Sequence, residues 1–444
     1  MTKLIRGLNL RQAVAINMID MVGIGPFITI PYIIGAMSGP QCILAWLLGA
    51  ILSLMDGSVW AELGAKWPEA GGSYAFLQNL FGKEKWGRLL SFLYIWQTTF
   101  QAPLVIASGA IGFAQYLTYL IPLDTIQQKI VSGTLIIFIT FLLYRKISDI
   151  GKISVVLGII VVGTILWLIV SGLMNLNFQM AFTFNKDAMD FTPAFFFGLG
   201  TASTKTVYSF LGYYNVCHLG SEIKAPEKNI PRSIFISIAG ITILYLFMQV
   251  AISGVIPWQQ AKDSPFIVST FFEQIYGSTA ATFATALVLI IAVSSLFAVM
   301  LGYSRVPYAA AVDGNYFSVF AKVHPTKNFP NYSLLILASV AFVFSLLFKM
   351  KEVITAIIVM RIIIQFIGQS IGLMLLHYKK KDLHLPYRML FFPIPPIIGI
   401  IVWAFIFFSA EWEFIAGAIT FIFIGILLFL FLSKQKNKWP FEIL

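Results

Sequence analysis

Val22-Gly23-Ile24-Gly25-Pro26-Phe27 interrupts the first long apolar segment of this 444-residue chain. Two glycines and a proline in six residues do not sustain an ordinary helix. Gly costs about 1 kcal/mol and Pro about 3 kcal/mol relative to Ala. In hydrocarbon the damage is greater, because unpaired backbone groups find no water there. Such a break persists only where it lines a cavity, and its freed amides and carbonyls then become a ligand site. Halfway down the chain, Ser209-Phe210-Leu211-Gly212-Tyr213 is interrupted as well. Paired interruptions in two halves point to the central site of a membrane carrier.

Composition agrees with a membrane setting. The chain is 59% hydrophobic and only 11% charged, against about 25% charged residues in a soluble domain. The net charge of +11 raises nucleic acid as a partner, but its placement argues for topology. Lys3, Arg6 and Arg11 precede the first apolar segment, and Lys83, Lys85 and Arg88 follow the second. Arg145, Lys146 and Lys152 separate the fourth from the fifth; Lys224, Lys228 and Arg232 follow the sixth; Lys322 and Lys327 follow the eighth. Lys379, Lys380 and Lys381 follow the tenth, and Lys434, Lys436 and Lys438 the last. The alternate loops carry only Lys129, Lys186, Lys262, Lys349 and Lys351. That alternation is the positive-inside pattern, with both termini expected in the cytoplasm and no nucleic-acid partner. No cleavable signal peptide is expected, since the first apolar segment is too long and lacks a small-residue cleavage site. Cys42 and Cys217 read as packing residues rather than a disulfide or metal framework. His218, His324, His377 and His384 show no metal spacing.

Hydropathy places spans at 12–35, 41–65, 87–119, 128–145, 152–174, 191–220, 232–256, 267–309, 332–348, 353–377, 390–409 and 412–433. The expected fold is an all-α polytopic membrane protein with 12 transmembrane helices in one domain. Two five-span halves, 12–174 and 191–377, would form inverted repeats, because an odd number of spans reverses orientation. Two extra helices at 390–433 follow. Spans one and six, the glycine-interrupted first members of each half, are the discontinuous ones.

Four stretches resemble the amino acid–polyamine–organocation superfamily. Val22 to Phe27 is similar to its first-span Gly-Ser-Gly-Ile-Phe motif. Glu62-Leu63-Gly64-Ala65-Lys66-Trp67-Pro68-Glu69-Ala70-Gly71-Gly72-Ser73-Tyr74 resembles its second-span exit and is the most specific match. Glu222 to Arg232 resembles the loop after its sixth span, and Ser304-Arg305-Val306-Pro307-Tyr308 through Asp313-Gly314 and Val323-His324-Pro325 its eighth-span exit. The resemblance implies a LeuT-like 5+5 inverted repeat plus two helices. The chain departs from the motif at Ile24, which replaces the usual serine, and at Pro26, which lacks an amide hydrogen.

A zwitterion needs two opposite partners away from bulk water. Half-helix N-termini suit a carboxylate, which assigns that group to Gly23, Ile24 and Gly25. Unwound carbonyls near Met21, Val22, Tyr208 and Phe210 would take the ammonium. Gly212 and Tyr213 belong to the second break, and the family resemblance makes Tyr208 an occluding aromatic. Gln97, Gln101 and Ser108 form a polar stripe on span three, either lining the pocket or bonding between helices. Asp20 lies one turn before Gly23 and reads as a coupling group or a structural partner. Lys205 lines an outer vestibule or snorkels to the interface. Arg361, Gln365 and Gln369 share one polar face of span ten; Arg361 is a coupling or gating candidate that either pairs with a structural partner such as Asp56 or contacts substrate directly. By resemblance, Lys152 stands near a lysine that replaces sodium, and Ser294 and Ser295 where sodium-coupled members keep hydroxyl ligands.

These residues describe a secondary transporter for small or neutral amino acids, working by alternating access as a proton symporter or exchanger. No cofactor or bound metal is expected beyond a coupling proton or sodium ion. A polyamine or organic-amine carrier is the alternative within the class, with Asp20 holding the amine. A channel would show repeated filters or charge rings, and a membrane enzyme convergent acid, base or thiol groups; the sequence shows neither. The partners are a small amino acid and the lipid bilayer, with no disulfide-linked subunit.

Overall fold

Asn9 opens the first helix, α1 (Leu10–Met21), through a reciprocal cap. Its side chain accepts from the Gln12 amide, and the Gln12 side chain accepts from the Asn9 amide, each at 3.0 Å. Two of the four orphan donors of a helix start are satisfied in this way. In the computed structural model, residues 4–184, 190–348, 350–379, 385–435 and 437–441 are described. Lys3, Lys186, Lys349, Lys380, Lys381, His384 and Lys436 lie outside the described residues, as does the side chain of Lys351.

After the break come α2 (Gly25–Met37), α3 (Ile43–Lys66), α4 (Ser73–Phe81), α5 (Trp86–Leu117), α6 (Thr125–Leu143) and α7 (Ile147–Met174). Asp124 caps α6 by accepting from the amides of Ile126 and Gln127, both at 2.8 Å. A short α8 (Phe178–Phe182) leads to α9 (Pro193–Phe210), which starts with Thr192 as cap and Pro at its first position. The second half continues with α10 (Asn215–His218), α11 (Pro226–Ser253), α12 (Trp258–Ala261), α13 (Ile267–Tyr276), α14 (Ser278–Tyr303) and α15 (Arg305–Val312). It closes with α16 (Asn331–Leu347), α17 (Met350–Arg361), α18 (Gly368–Lys379), α19 (Ile394–Phe408) and α20 (Trp412–Gln435).

Among the described residues, eight helices are long and apolar enough to cross a membrane. The bent pair α1–α2 makes a ninth, and α16 and α19 are shorter apolar helices. The span expected at 267–309 resolves into α13, α14 and α15, because Gly277 adopts φ +83° and separates α13 from the crossing helix. Helices α7 and α11 begin five to six residues before the hydropathy windows. Their first turns carry Asp149, Lys152, Lys228 and Arg232, which depress hydropathy without breaking a helix.

Every stretch that carries the family resemblance, except the first, meets at one end of the bundle. The Glu222 carbonyl accepts from the amides of Gly7 and Leu8 at 2.9 and 3.0 Å, and the Lys224 amide donates back to Leu8 at 2.8 Å. The Gly71 amide donates to the His218 carbonyl at 3.1 Å, and the Ala70 amide to Ser221 Oγ at 2.9 Å. Arg305 grips the Glu222 carboxylate with two parallel bonds, Nε–Oε2 at 2.8 Å and Nη2–Oε1 at 2.9 Å. Glu62 is fully buried and bonded by the His377 ring, and it accepts from the Met389 amide at 2.7 Å. Chain segments before the first span and after the second, sixth, eighth and tenth therefore share one face. This is the face on which the basic loops cluster.

Candidate functional site

The first break is built by local backbone chemistry. α1 ends where the Val22 amide donates to the Met18 carbonyl at 2.9 Å. The axis then turns by 45° into α2, with Pro26 near the start of that helix, where its missing N–H costs nothing. Among the described residues, the amides of Gly23, Ile24 and Gly25 donate to no backbone carbonyl. They form the positive end of α2, where a bound anion is favoured.

Three glycines let neighbouring elements close on this break. A Cβ on Gly23 would stand 2.6 Å from Ser295 Oγ on α14, and one on Gly25 2.9 Å from the Tyr208 ring on α9. Gly212, in the second break, takes φ +123°, and a Cβ there would sit 2.7 Å from the Met21 amide nitrogen. The two breaks thus touch across a gap that no side chain fills.

A cavity lies against this contact. Asp20, Met21, Gly23, Ile24 and Gly25 line it from the first break, and Tyr208 and Gly212 from around the second. Ser295 and Tyr303 on α14 and Arg361 on α17 complete its polar wall. The space open to the centre of a water-sized sphere is about 60 Å³. At roughly 10–15 Å³ of such space per water, it accommodates roughly four to six waters, the bulk of a small amino acid. Tyr208 closes one side, its hydroxyl 3.1 Å from Ser108 Oγ on α5.

Arg361 is the cation of this wall. Its Nε donates to Gln365 Oε1 at 2.6 Å, and the guanidinium lies 5.2 Å from the Tyr214 ring and 5.9 Å from the Tyr303 ring. Nη2 is buried with no hydrogen-bond partner among the described residues. A turn of wider π-helix, Ile362–Ile367, follows immediately, a local distortion that frequently marks functional positions. The expected Arg361–Asp56 pair is not formed. Tyr213 instead donates to Asp56 Oδ2 at 2.5 Å and Trp403 Nε1 to Oδ1 at 3.4 Å, so two uncharged donors occupy that carboxylate.

Several residues singled out by sequence are not brought to the cavity wall. Gln97 donates to the Met360 carbonyl at 2.6 Å and Gln101 to the Tyr303 hydroxyl at 3.4 Å, so both bond between helices behind the wall. Phe210 packs edge-on against Trp46 and Tyr245, with ring centroids 6.1 and 5.2 Å away. Val22 is buried outside the lining. Ser294 bonds its own helix at Ile290, and Lys152 is exposed on the first turns of α7. Lys205 is half-buried and donates to Thr355 Oγ1 on α17 at 3.0 Å. Both cysteines are buried and free.

Two residues that sequence reasoning passed over hold the breaks in register. Tyr245, on α11, directs its hydroxyl to the Met21 carbonyl at 2.8 Å and to the Ser209 carbonyl at 3.0 Å. The Met21 carbonyl, expected for an ammonium, thus already has a donor. Asn17, on α1, donates to the Tyr213 carbonyl at 2.8 Å and accepts from the Val216 amide at 3.0 Å. The only sequence signal for either is a polar group inside an otherwise apolar span.

Comparison with known proteins adds an independent line. Residues 8–437 match the model of a family described as amino acid permease. The chain is 23% identical to the branched-chain amino acid permease BcaP of Bacillus subtilis (strain 168), over 90% of this chain and 87% of that protein. It is 26% identical to the aspartate-proton symporter of the same organism, over 91% and 79%, respectively. With the human cystine/glutamate transporter it shares 25% identity over 87% of this chain and 77% of the other.

Proposed function

The chain belongs to the amino acid permease family, and on that premise we propose that it carries a small amino acid by alternating access through the cavity between the two helix breaks. The family and these relatives are transporters rather than enzymes, and the apolar helices make this a multi-pass membrane protein. The observation that carries the reading is the set of three backbone amides at Gly23, Ile24 and Gly25, free of backbone partners beside a cavity of amino-acid size. Those amides would take the substrate carboxylate. The Tyr208 carbonyl, with Asp20 on the same wall, would take the ammonium; Val22 and Phe210, which lie outside the lining, drop out of that role. Tyr208 would act as the lid.

The proposed architecture is the twelve-helix one, with α9–α10 as the second broken span and α16 and α19 as short crossings, arranged as five-plus-five inverted repeats. Both termini are placed in the cytoplasm on the positive-inside pattern. Coupling to a proton is proposed through Asp20, the one carboxylate on the cavity wall among the described residues; Ser295 supports a sodium-coupled variant, and Lys205 a vestibule role.

A second reading concerns the substrate's side chain. The buried Nη2 of Arg361, without a hydrogen-bond partner among the described residues, favours a substrate with a second carboxylate over one with an apolar tail. Uptake of labelled alanine into proteoliposomes, challenged with neutral amino acids, glutamate and putrescine, with and without sodium, tests all of this. Competition by neutral or acidic amino acids supports the proposal. Competition by putrescine alone makes this an amine carrier and refutes the assigned carboxylate site.

A further inference from the structure

On the face where the basic loops cluster, a second and wider cleft opens away from the central cavity. It has a volume of about 440 Å³, and three cations face it: Lys83 from the α4–α5 loop, Arg88 from the first turn of α5, and Lys438 beyond α20. Two carboxylates, Glu84 and Asp313, also line it. Among the described residues, neither Lys83 nor Lys438 has a carboxylate within ion-pair distance. A narrow slot shares Arg88, Asn315 and Lys438 with this cleft and runs inward between α5 and α20 along Phe92, Phe429 and Leu432. The Arg88 guanidinium sits 5.2 Å above the Phe429 ring, at the junction of the polar mouth and the apolar slot. Trp86 and Trp439 meet edge-on at 5.3 Å on the same two helix ends, which are residues of the kind that settle at headgroup depth.

We propose that this cleft binds the phosphate of an anionic phospholipid, with the first methylenes of an acyl chain at the small apolar slot between α5 and α20. Two ammonium groups and a guanidinium, outnumbering the two carboxylates of the cleft, suit a phosphodiester, and the guanidinium adds planar, two-pronged bonding. The apolar slot is what a free phosphate does not require. α20 offers lipid-facing side chains along its length, with Phe423, Leu427 and Phe431 exposed, so a lipid reaches the cleft from the bilayer without crossing protein.

The test uses the full chain in detergent and follows its thermal unfolding during titration with phosphatidylglycerol, phosphatidylcholine, inorganic phosphate or glycerol 3-phosphate. Phosphatidylglycerol is expected to raise the unfolding temperature, and the other three to leave it unchanged. In Lys83→Gln/Lys438→Gln the apparent affinity for phosphatidylglycerol is expected to fall by about 30-fold, the usual worth of two basic residues beside an anionic headgroup. Stabilisation of that variant by its transported amino acid at the wild-type concentration shows that the fold is intact. Equal stabilisation by phosphatidylcholine, or an unchanged affinity in the double variant, overturns the proposal. An inorganic phosphate effect as large as that of phosphatidylglycerol overturns the lipid assignment.

Discussion

Gly25→Ala is the smallest change that should disturb the proposed lid, Tyr208. The added Cβ would stand 2.9 Å from Tyr208 Cε1 and 3.3 Å from Cδ1. Carbon atoms pack at about 3.5–4.0 Å, so the ring must withdraw by about 0.6 Å. It is tethered by its hydroxyl, 3.1 Å from Ser108 Oγ, and withdrawal stretches or breaks that bond. A hydrogen bond of this kind contributes about 0.5–1.5 kcal/mol, equivalent to about a 2- to 12-fold loss in apparent affinity at 1.4 kcal/mol per decade. In a Tyr208→Phe background the tether is already gone, and the alanine should cost correspondingly less. That coupling is readable in a double-mutant cycle. Gly25→Leu, which fills the cavity, is expected to abolish uptake while the protein still inserts and purifies. The assay is concentration-dependent uptake into proteoliposomes for the four single and double combinations, with Gly25→Leu alongside. Wild-type uptake by Gly25→Leu, or an alanine penalty that is the same in both backgrounds, would refute the reasoning.

Three further outcomes are expected. Arg361→Met should weaken competition by glutamate by about 10- to 150-fold if the guanidinium receives a substrate carboxylate, on the usual worth of a charged hydrogen bond; an equal loss for alanine would assign Arg361 to holding the cavity wall. Tyr245→Phe removes the single O–H that the Met21 and Ser209 carbonyls share and should destabilise the protein by about 1–3 kcal/mol, read as a lowered unfolding temperature in detergent; no change there would mean that the shared hydroxyl holds nothing. Arg305→Met leaves Glu222 buried and unpaired and should cost about 3–5 kcal/mol, whereas Arg305→Met/Glu222→Leu should recover most of that loss; thermal unfolding of the three proteins distinguishes the cases.

Much of this fold was legible because membranes impose strict rules. Charge scarcity and the alternation of basic loops defined a multi-pass chain, and the glycines and proline at 22–27 marked the bend, since a backbone rule fails there whatever the surroundings. Partner choice was not legible. Asp56 and Arg361 are both buried and opposite in charge, yet Asp56 accepts from Tyr213 and Trp403. Which donors reach a carboxylate depends on the rotation of three helices about their axes, and hydropathy does not encode that rotation. Gln97 and Gln101 show the same limit: one helical stripe serves equally for a pocket or for helix pairing until the neighbour is placed. Tyr245 was passed over because one tyrosine in an apolar span has the signature of ordinary core packing. Only the two carbonyls freed by separate breaks reveal what its hydroxyl does.

The layer formed by Arg305, Glu222 and the backbone bridges around Leu8 and Ala70 would make the two exits of the proposed transport cycle unequal. In the proposed cycle, the route past Tyr208 parts a hydroxyl contact with Ser108. Escape through the layer asks a desolvated ion pair and several main-chain links to let go together, an enthalpy-rich event. If the proposed alternating access holds, the half-cycle that opens this face should quicken more steeply on warming than its counterpart, and set the pace of turnover in the cold.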